Sequence, residues 1–245
     1  MKQAKIGKQV EDLECPPALS ALVASLETYY GKPPPPKTTD PLGLIIYENI
    51  AYLTTDEKRD AAFTLLRKEV GLKPTNILAA PMEVLVRIAT LGGIHPQMRA
   101  ARLKEIAQIV LNDFGGDLES VLELPLPQAK KALQKFPSIG APGAEKILLF
   151  TKTHALLALE SNGLRVLLRI GFGEEGKNYA QTYASVKEEL HDQIGSDCDF
   201  LIRAHQLLRR HGKELCRANN PACDICPVNK SCNYYLSQRE TIKRR

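Results

Sequence analysis

Cys216-Arg-Ala-Asn-Asn-Pro-Ala-Cys223-Asp-Ile-Cys226-Pro-Val-Asn-Lys-Ser-Cys232 gathers four of the chain's six cysteines into 17 residues. Four thiolates spaced by six, two and five residues suit either an iron–sulfur cluster or tetrahedral zinc. Zinc ribbons use two separate Cys-x2-Cys pairs, and here Cys223/Cys226 is the one such pair. Disulfides are disfavoured, because nothing in the sequence suggests secretion. Pro221 and Pro227 stiffen the loop, and Arg209, Arg210, Lys213, Arg217 and Lys230 surround it. Cys15 and Cys198 have no partner by spacing and are expected to be buried thiols.

The charge distribution agrees with a basic loop. From Phe200 to Arg245 there are ten Lys and Arg against three acids, a net +7, while the whole chain carries +5. That imbalance is the footprint of a phosphate-backbone binder, although a solvated basic tail would give the same count. No apolar run approaches the ~20 residues of a membrane span, and the N-terminal MKQAKIGKQVEDLE has no signal-peptide core. A cytoplasmic (nucleoid-associated) or nuclear protein is expected, without membrane contact.

Working outward, the strand signal is weak: tryptophan is absent and aromatic residues make up 6%. Helical periodicity recurs instead in Pro41–Leu53, Asp56–Val70, Pro81–Leu91, Gln97–Phe114, Pro127–Phe136, Gly143–Thr151 and Phe200–His211. The sequence reads as all-α. Lys32-Pro-Pro-Pro-Pro-Lys-Thr-Thr-Asp-Pro41 cannot be helical, since proline lacks the amide donor and restricts its preceding residue. It separates an N-terminal helix near Pro17–Tyr30 from the body. The expected organisation is discontinuous. Residues 1–39 hold that helix and the linker, 40–153 form a central helical domain, and 154–245 form a second domain together with the N-terminal helix.

Ala132-Leu-Gln-Lys-Phe136-Pro-Ser-Ile-Gly140-Ala-Pro-Gly-Ala144 reads as two short helices around a tight turn. Such a turn presents the amides of the second helix's first turn, where the helix dipole also favours a phosphate. Ser138, Gly140 and Gly143 are the candidate backbone contacts, joined by Arg209, Arg210 and Lys213. Together with Ala204–Cys232, this hairpin resembles the helix-hairpin-helix and [4Fe–4S] loop of the endonuclease III superfamily. Relatives in that superfamily include mismatch adenine glycosylases and thymine mismatch glycosylases. The Asp40–Asp56 and Gly92–Leu103 segments are similar to the same family in the same order, so the resemblance spans about residues 38–236.

The resemblance implies a two-domain helix-hairpin-helix DNA glycosylase fold, a six-helix barrel with its hairpin at 127–150 plus a cluster domain. It implies a [4Fe–4S] cluster on Cys216, Cys223, Cys226 and Cys232. The implied partner is double-stranded DNA bearing a damaged or mispaired base, bound by a monomer. Family enzymes flip a nucleotide out of the duplex and cut its glycosidic bond. Their bifunctional members place a lysine nucleophile where this chain has Pro142, so a Schiff base is not expected there. Lys146 lies one turn further on, offset by about 6 Å of rise. The family's charge-stabilising aspartate falls on Glu160, one methylene longer. A glutamate used as general acid by monofunctional members falls on Glu48, in the apolar run Leu42–Leu53. There desolvation would favour a protonated carboxyl. The expected function is a monofunctional DNA N-glycosylase. The alternatives are a non-catalytic binder of distorted DNA, a glycosylase with lyase activity, and a redox protein that would leave the hairpin unexplained.

Overall fold

The computed structural model describes residues 17–243, so Cys15 and the last two arginines lie outside the described residues. In chain order the helices are α1 (Leu19–Tyr30), α2 (Pro41–Asn49), α3 (Asp56–Glu69), α4 (Pro74–Ala79), α5 (Met82–Leu91), α6 (Pro96–Phe114) and α7 (Glu119–Leu122). They continue with α8 (Leu126–Leu133), α9 (Ala141–Phe150), α10 (Ser161–Ile170), α11 (Tyr179–Glu189), α12 (Cys198–Glu214) and α13 (Asn233–Lys243). Among the described residues the extended pairing is limited to one bridge, Tyr52 with Gly93. The fold is all-α, as the periodicity predicts.

The chain divides into two compact units. One comprises residues up to Pro33, Leu159–Ile194 and those from Arg203 on; the other comprises Pro34–Ala158 and Gly195–Ile202. The break after the hairpin therefore falls at Ala158–Leu159, five residues beyond the sequence expectation.

In the second unit α6 packs against α2, α4 and α5, and α9 packs against α2 and α8. The core residues Ile45, Phe63, Leu66, Leu85, Leu103 and Ile106 are fully buried. Local chemistry sets the helix starts. The Asp40 carboxylate accepts from Gly43 N at 2.5 Å, with Pro41 in the first turn of α2. The Thr55 hydroxyl accepts from Lys58 N at 3.4 Å at the start of α3. Acids at Asp56 and Glu57 and bases at Arg67 and Lys68 then oppose the α3 dipole.

Helix α2 ends at Asn49, four residues short of the periodic run that predicts it. The reason is a tertiary clamp. Arg99 on α6 is fully buried, and its guanidinium donates to the carbonyls of Ile50, Gly93 (2.5 Å) and Ile94 (2.8 Å). The Tyr52 amide donates to Gly92 O at 2.9 Å alongside it. A Cβ on Gly92 would stand 2.2 Å from Ile50 O and 2.5 Å from Arg99, and Gly93 has φ 107°. The glycine pair is what lets the two loops close around the guanidinium.

Replacing Arg99 by Met removes three charge-assisted bonds and strands three carbonyls. Each stranded group costs about 1–3 kcal/mol. Urea unfolding of Arg99→Met should therefore show a loss of about 3 kcal/mol or more with an unchanged slope. A loss below about 1 kcal/mol would mean that water replaces the guanidinium.

Candidate functional site

The hairpin lies in the second unit. Phe136 is buried and stacks on Phe114 with centroids 5.7 Å apart, and Ile139 is buried beside it. Ser138, which stands at the first glycine of the family turn, adopts φ 61°. The left-handed turn is thus kept with a side chain on it, and the Ser138 hydroxyl accepts from Arg102 at 2.9 Å. Asn49 fixes the turn to α2: its buried amide donates to Pro137 O at 2.9 Å and Ile45 O at 3.0 Å. An ion pair of 2.5 Å between Lys130 and the buried Glu145 ties α8 to α9.

Gly140 caps α9 with φ −86° and ψ −173°, a conformation open to any residue. A Cβ there would meet only Pro142 Cδ, at 3.8 Å. Neither backbone strain nor internal packing requires glycine at this exposed position, so a bare backbone leaves room for a group approaching from outside. The first-turn amides of a helix have no intrahelical acceptor and point outward. Pro142 sits in that turn and removes one donor from it.

Glu48 faces charge rather than an apolar pocket. Lys146 on α9 donates to its carboxylate at 2.6 Å, and Arg59 on α3 lies 3.8 Å away. The apolar neighbours that surround Glu48 in sequence, Ile45, Ile46 and Ile50, are buried in the core. The half-buried carboxylate lies on the other side of the helix. The Lys146 ammonium also stands 5.4 Å from the Phe150 ring centroid.

In the first unit Glu160 is the N-cap of α10. One carboxylate oxygen accepts from Gly163 N at 2.7 Å and the other from the Asn162 amide at 2.7 Å. From Asn162 the network continues into the cysteine loop. Arg165 donates to Asn162 Oδ1 (2.8 Å), Gly212 O (2.8 Å) and Cys216 O (2.9 Å). One turn on, Arg169 stacks at 4.5 Å on Tyr234 and donates to Arg217 O (2.8 Å) and Ala218 O (3.2 Å). Arg169 also lies 3.4 Å from Cys216 Sγ, and its carbonyl oxygen lies 3.3 Å from Cys232 Sγ.

Cys216, Cys223, Cys226 and Cys232 line one cavity together with Val166, Ile170, Leu215, Val228 and Tyr235. Burial raises the pKa of the Cys223 and Cys232 thiols and pushes Cys226 up to about 11, with the neighbouring cysteines adding to it. Among the described residues no three His, Cys, Asp or Glu side chains close on a single-ion site. The four thiols line the same cavity. A soft, sulfur-only donor set of this kind suits a multi-iron cluster.

Arg209 is half-buried, while Arg210 and Lys213 are exposed one turn apart on α12. Arg210 is already engaged: it stacks at 4.6 Å on Tyr30 and donates to Tyr30 O (3.2 Å) and Glu214 (2.9 Å). Cys198 is half-buried at the start of α12 rather than fully enclosed as expected. The sequence reading missed Arg165, Arg169 and His211. The two arginines, four residues apart in an otherwise apolar helix, were the legible signal.

Four helices of the second unit converge on a glycine-bearing turn, and a four-cysteine loop is strapped to α10 in the first. That combination defines a helix-hairpin-helix protein with a cysteine-loop domain. Endonuclease III of Sulfolobus acidocaldarius is 26% identical over 205 residues, covering 82% of this chain and 85% of its own. A thymine/uracil-DNA glycosylase of Methanothermobacter thermautotrophicus is 29% identical over 164 residues, 65% of this chain and 67% of its own. The structure of a thermostable thymine-DNA glycosylase superposes with a TM-score of 0.70 at 21% identity, covering 90% of this chain and 97% of that one. A non-covalent endonuclease III–DNA complex gives 0.69 at 17% identity, covering 91% and 97%. No family model matches the sequence. In sequence and fold the chain is similar to the endonuclease III superfamily of helix-hairpin-helix DNA glycosylases.

Gly212, on α12, shows how tightly the cysteine loop is seated against α10. A Cβ there would stand 2.5 Å from Asn162 O and 2.7 Å from its Cβ. Glycine to alanine within a helix ordinarily stabilises by about 1 kcal/mol. Here overpacking, at about 1–3 kcal/mol, should reverse the sign. Thermal unfolding of Gly212→Ala should occur below that of the wild type; a rise would mean that the contact yields freely.

Proposed function

We propose that this chain is a DNA N-glycosylase of the base-excision type, which releases a damaged or mispaired base with water and without an amine nucleophile. The observation that carries the reading is the α9 turn. Gly140 presents a bare backbone there, which suits a phosphate, and by the family resemblance Pro142 stands at the position of the lysine nucleophile. Gly140, Gly143 and the Ser138 turn bind the DNA backbone, and Arg209, Arg210 and Lys213 supply basic charge. The likeness to an endonuclease III bound to DNA supports double-stranded DNA as the partner.

In the proposed reaction the glycosidic bond breaks, the departing base takes a proton, and water adds to the sugar carbon. Glu160 stabilises the positive charge that develops on the sugar. Its carboxylate is anchored at both oxygens, which fixes its position in advance. Glu48 is the proposed proton donor to the base. The four cysteines fit a [4Fe–4S] cluster, which braces the basic loop and takes no part in the bond changes.

A second reading, a binder of distorted DNA without chemistry, is favoured by one observation. Glu48 lies 2.6 Å from Lys146 and 3.8 Å from Arg59, and neighbouring cations disfavour the acid form that a proton donor needs. A panel of mismatched, deaminated and oxidised duplexes, assayed with and without hot alkali, separates the readings. The glycosylase reading expects strand breaks on at least one lesion, and only after alkali. It expects Glu160→Gln to slow release by roughly 100-fold. The amide oxygen can still accept from Gly163 N, but its NH2 then faces the Asn162 amide donor, so stability should fall by about 1–3 kcal/mol. Binding without release on every lesion would establish the second reading, and an undiminished rate in Glu160→Gln would remove that carboxylate from the mechanism.

A further inference from the structure

His211 is almost completely buried on α12, and both ring nitrogens are engaged. Its Nδ1 lies 3.0 Å from the Tyr30 hydroxyl, and its Nε2 lies 3.5 Å from Cys226 Sγ. Tyr30 is the last residue of α1, more than 180 positions before the cysteine loop, and nothing in the bracing of that loop accounts for its hydroxyl. It is held firmly in place. Arg210 covers its ring at 4.6 Å and donates to its carbonyl at 3.2 Å, and the ring meets the His211 imidazole edge-on at 5.9 Å.

We propose that Tyr30 and His211 form a directed hydrogen-bond relay onto the cluster, in which Tyr30 O–H donates to Nδ1 and Nε2–H donates to the Cys226 thiolate. His211 is then a positioning residue for the cluster's electron density, and α1 is wired to it through Tyr30. This rests on the reading of the four cysteines as [4Fe–4S] ligands.

The chemistry leaves one arrangement. A cysteine that binds iron does so as thiolate, which can only accept. Were the ring proton on Nδ1, the Nε2 lone pair would face the sulfur lone pairs at 3.5 Å, and the contact would repel. With the proton on Nε2 the sulfur gains a donor, and Nδ1 becomes an acceptor that needs one. The Tyr30 hydroxyl is that donor. An imidazole's tautomer is set by the bond its other nitrogen makes. Donors to ligating sulfurs draw electron density from the iron–sulfur bonds and shift the cluster's potential upward. Cys216 has a comparable donor in Arg169, at 3.4 Å. Two of the four ligands thereby carry a designated side-chain donor, one cationic and one neutral.

The test uses full-length protein purified anaerobically. Equal iron and acid-labile sulfide come first; stoichiometric zinc without sulfide would end the cluster reading itself, independently of the relay. On cluster-loaded protein, resonance Raman spectra are then recorded in H2O and D2O. In the wild type the iron–cysteine stretching bands should shift on deuteration. His211→Leu should move those bands to higher frequency and abolish the deuterium shift. His211→Gln, whose amide N–H can reach the sulfur, should restore both in part. Tyr30→Phe keeps the ring and its packing and removes only the hydroxyl, and it should give a smaller displacement in the same direction. The reduction potential should fall in the same order. Equal displacement in His211→Leu and His211→Gln would assign the effect to packing and overturn the relay. Should the His211 variants fail to hold a cluster, Tyr30→Phe decides alone: displaced bands support the relay, and unchanged bands overturn it.

Discussion

Arg165 and Arg169 stand one turn apart on α10, and between them they hold four backbone carbonyls, those of Gly212, Cys216, Arg217 and Ala218. The loop they hold has little means of folding by itself. Between Cys216 and Cys232 the buried residues are Val228 and Cys232, while Ile225 is 64% exposed. Backbone ordering costs about 1–2 kcal/mol per residue, which so little apolar burial cannot offset over 17 residues. The two guanidinium groups supply part of what the missing core does not, and thiolate bonds to the proposed cluster would add the rest. Arginine suits the task because its rigid fork can serve several carbonyls at once.

The same helix carries Glu160 as its N-cap. Strapping the loop to α10 and fixing the carboxylate are therefore one construction: Asn162 donates to Glu160 and accepts from Arg165, which reaches Cys216. A disturbance in the loop has a short, fully bonded route to the carboxylate. In the second unit Asn49 plays the corresponding part, tying the hairpin turn to α2 through Pro137 O. Each candidate element is thus fixed by polar side chains reaching it from a neighbouring helix.

The all-α fold was legible because amphipathic periodicity is a local property, and α3, α5, α6 and α9 appear close to where it predicts them. The cysteine loop and the hairpin were legible because their chemistry is written in spacing. Other features depend on partners far apart in sequence. Helix α2 stops at Asn49 although its apolar pattern runs to Leu53, because Arg99 captures the next carbonyls. Glu48 reads as a carboxyl in apolar surroundings, yet Lys146, 98 residues away, pairs with it. The helices α4, α7, α10, α11 and α13 lie outside the periodic runs: α4 and α7 are a turn or so long, and α11 mixes polar and aromatic residues without a clean stripe.

In the proposed reading, the first turn of α9 carries Pro142 at the position where bifunctional members of the family it resembles place an amine nucleophile. Lys146, the nearest alternative on α9, is paired with Glu48 at 2.6 Å. Borohydride trapping on a duplex containing an abasic site measures that difference directly, because reduction fixes any Schiff base between enzyme and sugar. The account predicts no covalent protein–DNA product from the wild type, while abasic DNA is still bound. An efficient adduct, lost in Lys146→Met, would contradict it and move the nucleophile one turn along α9.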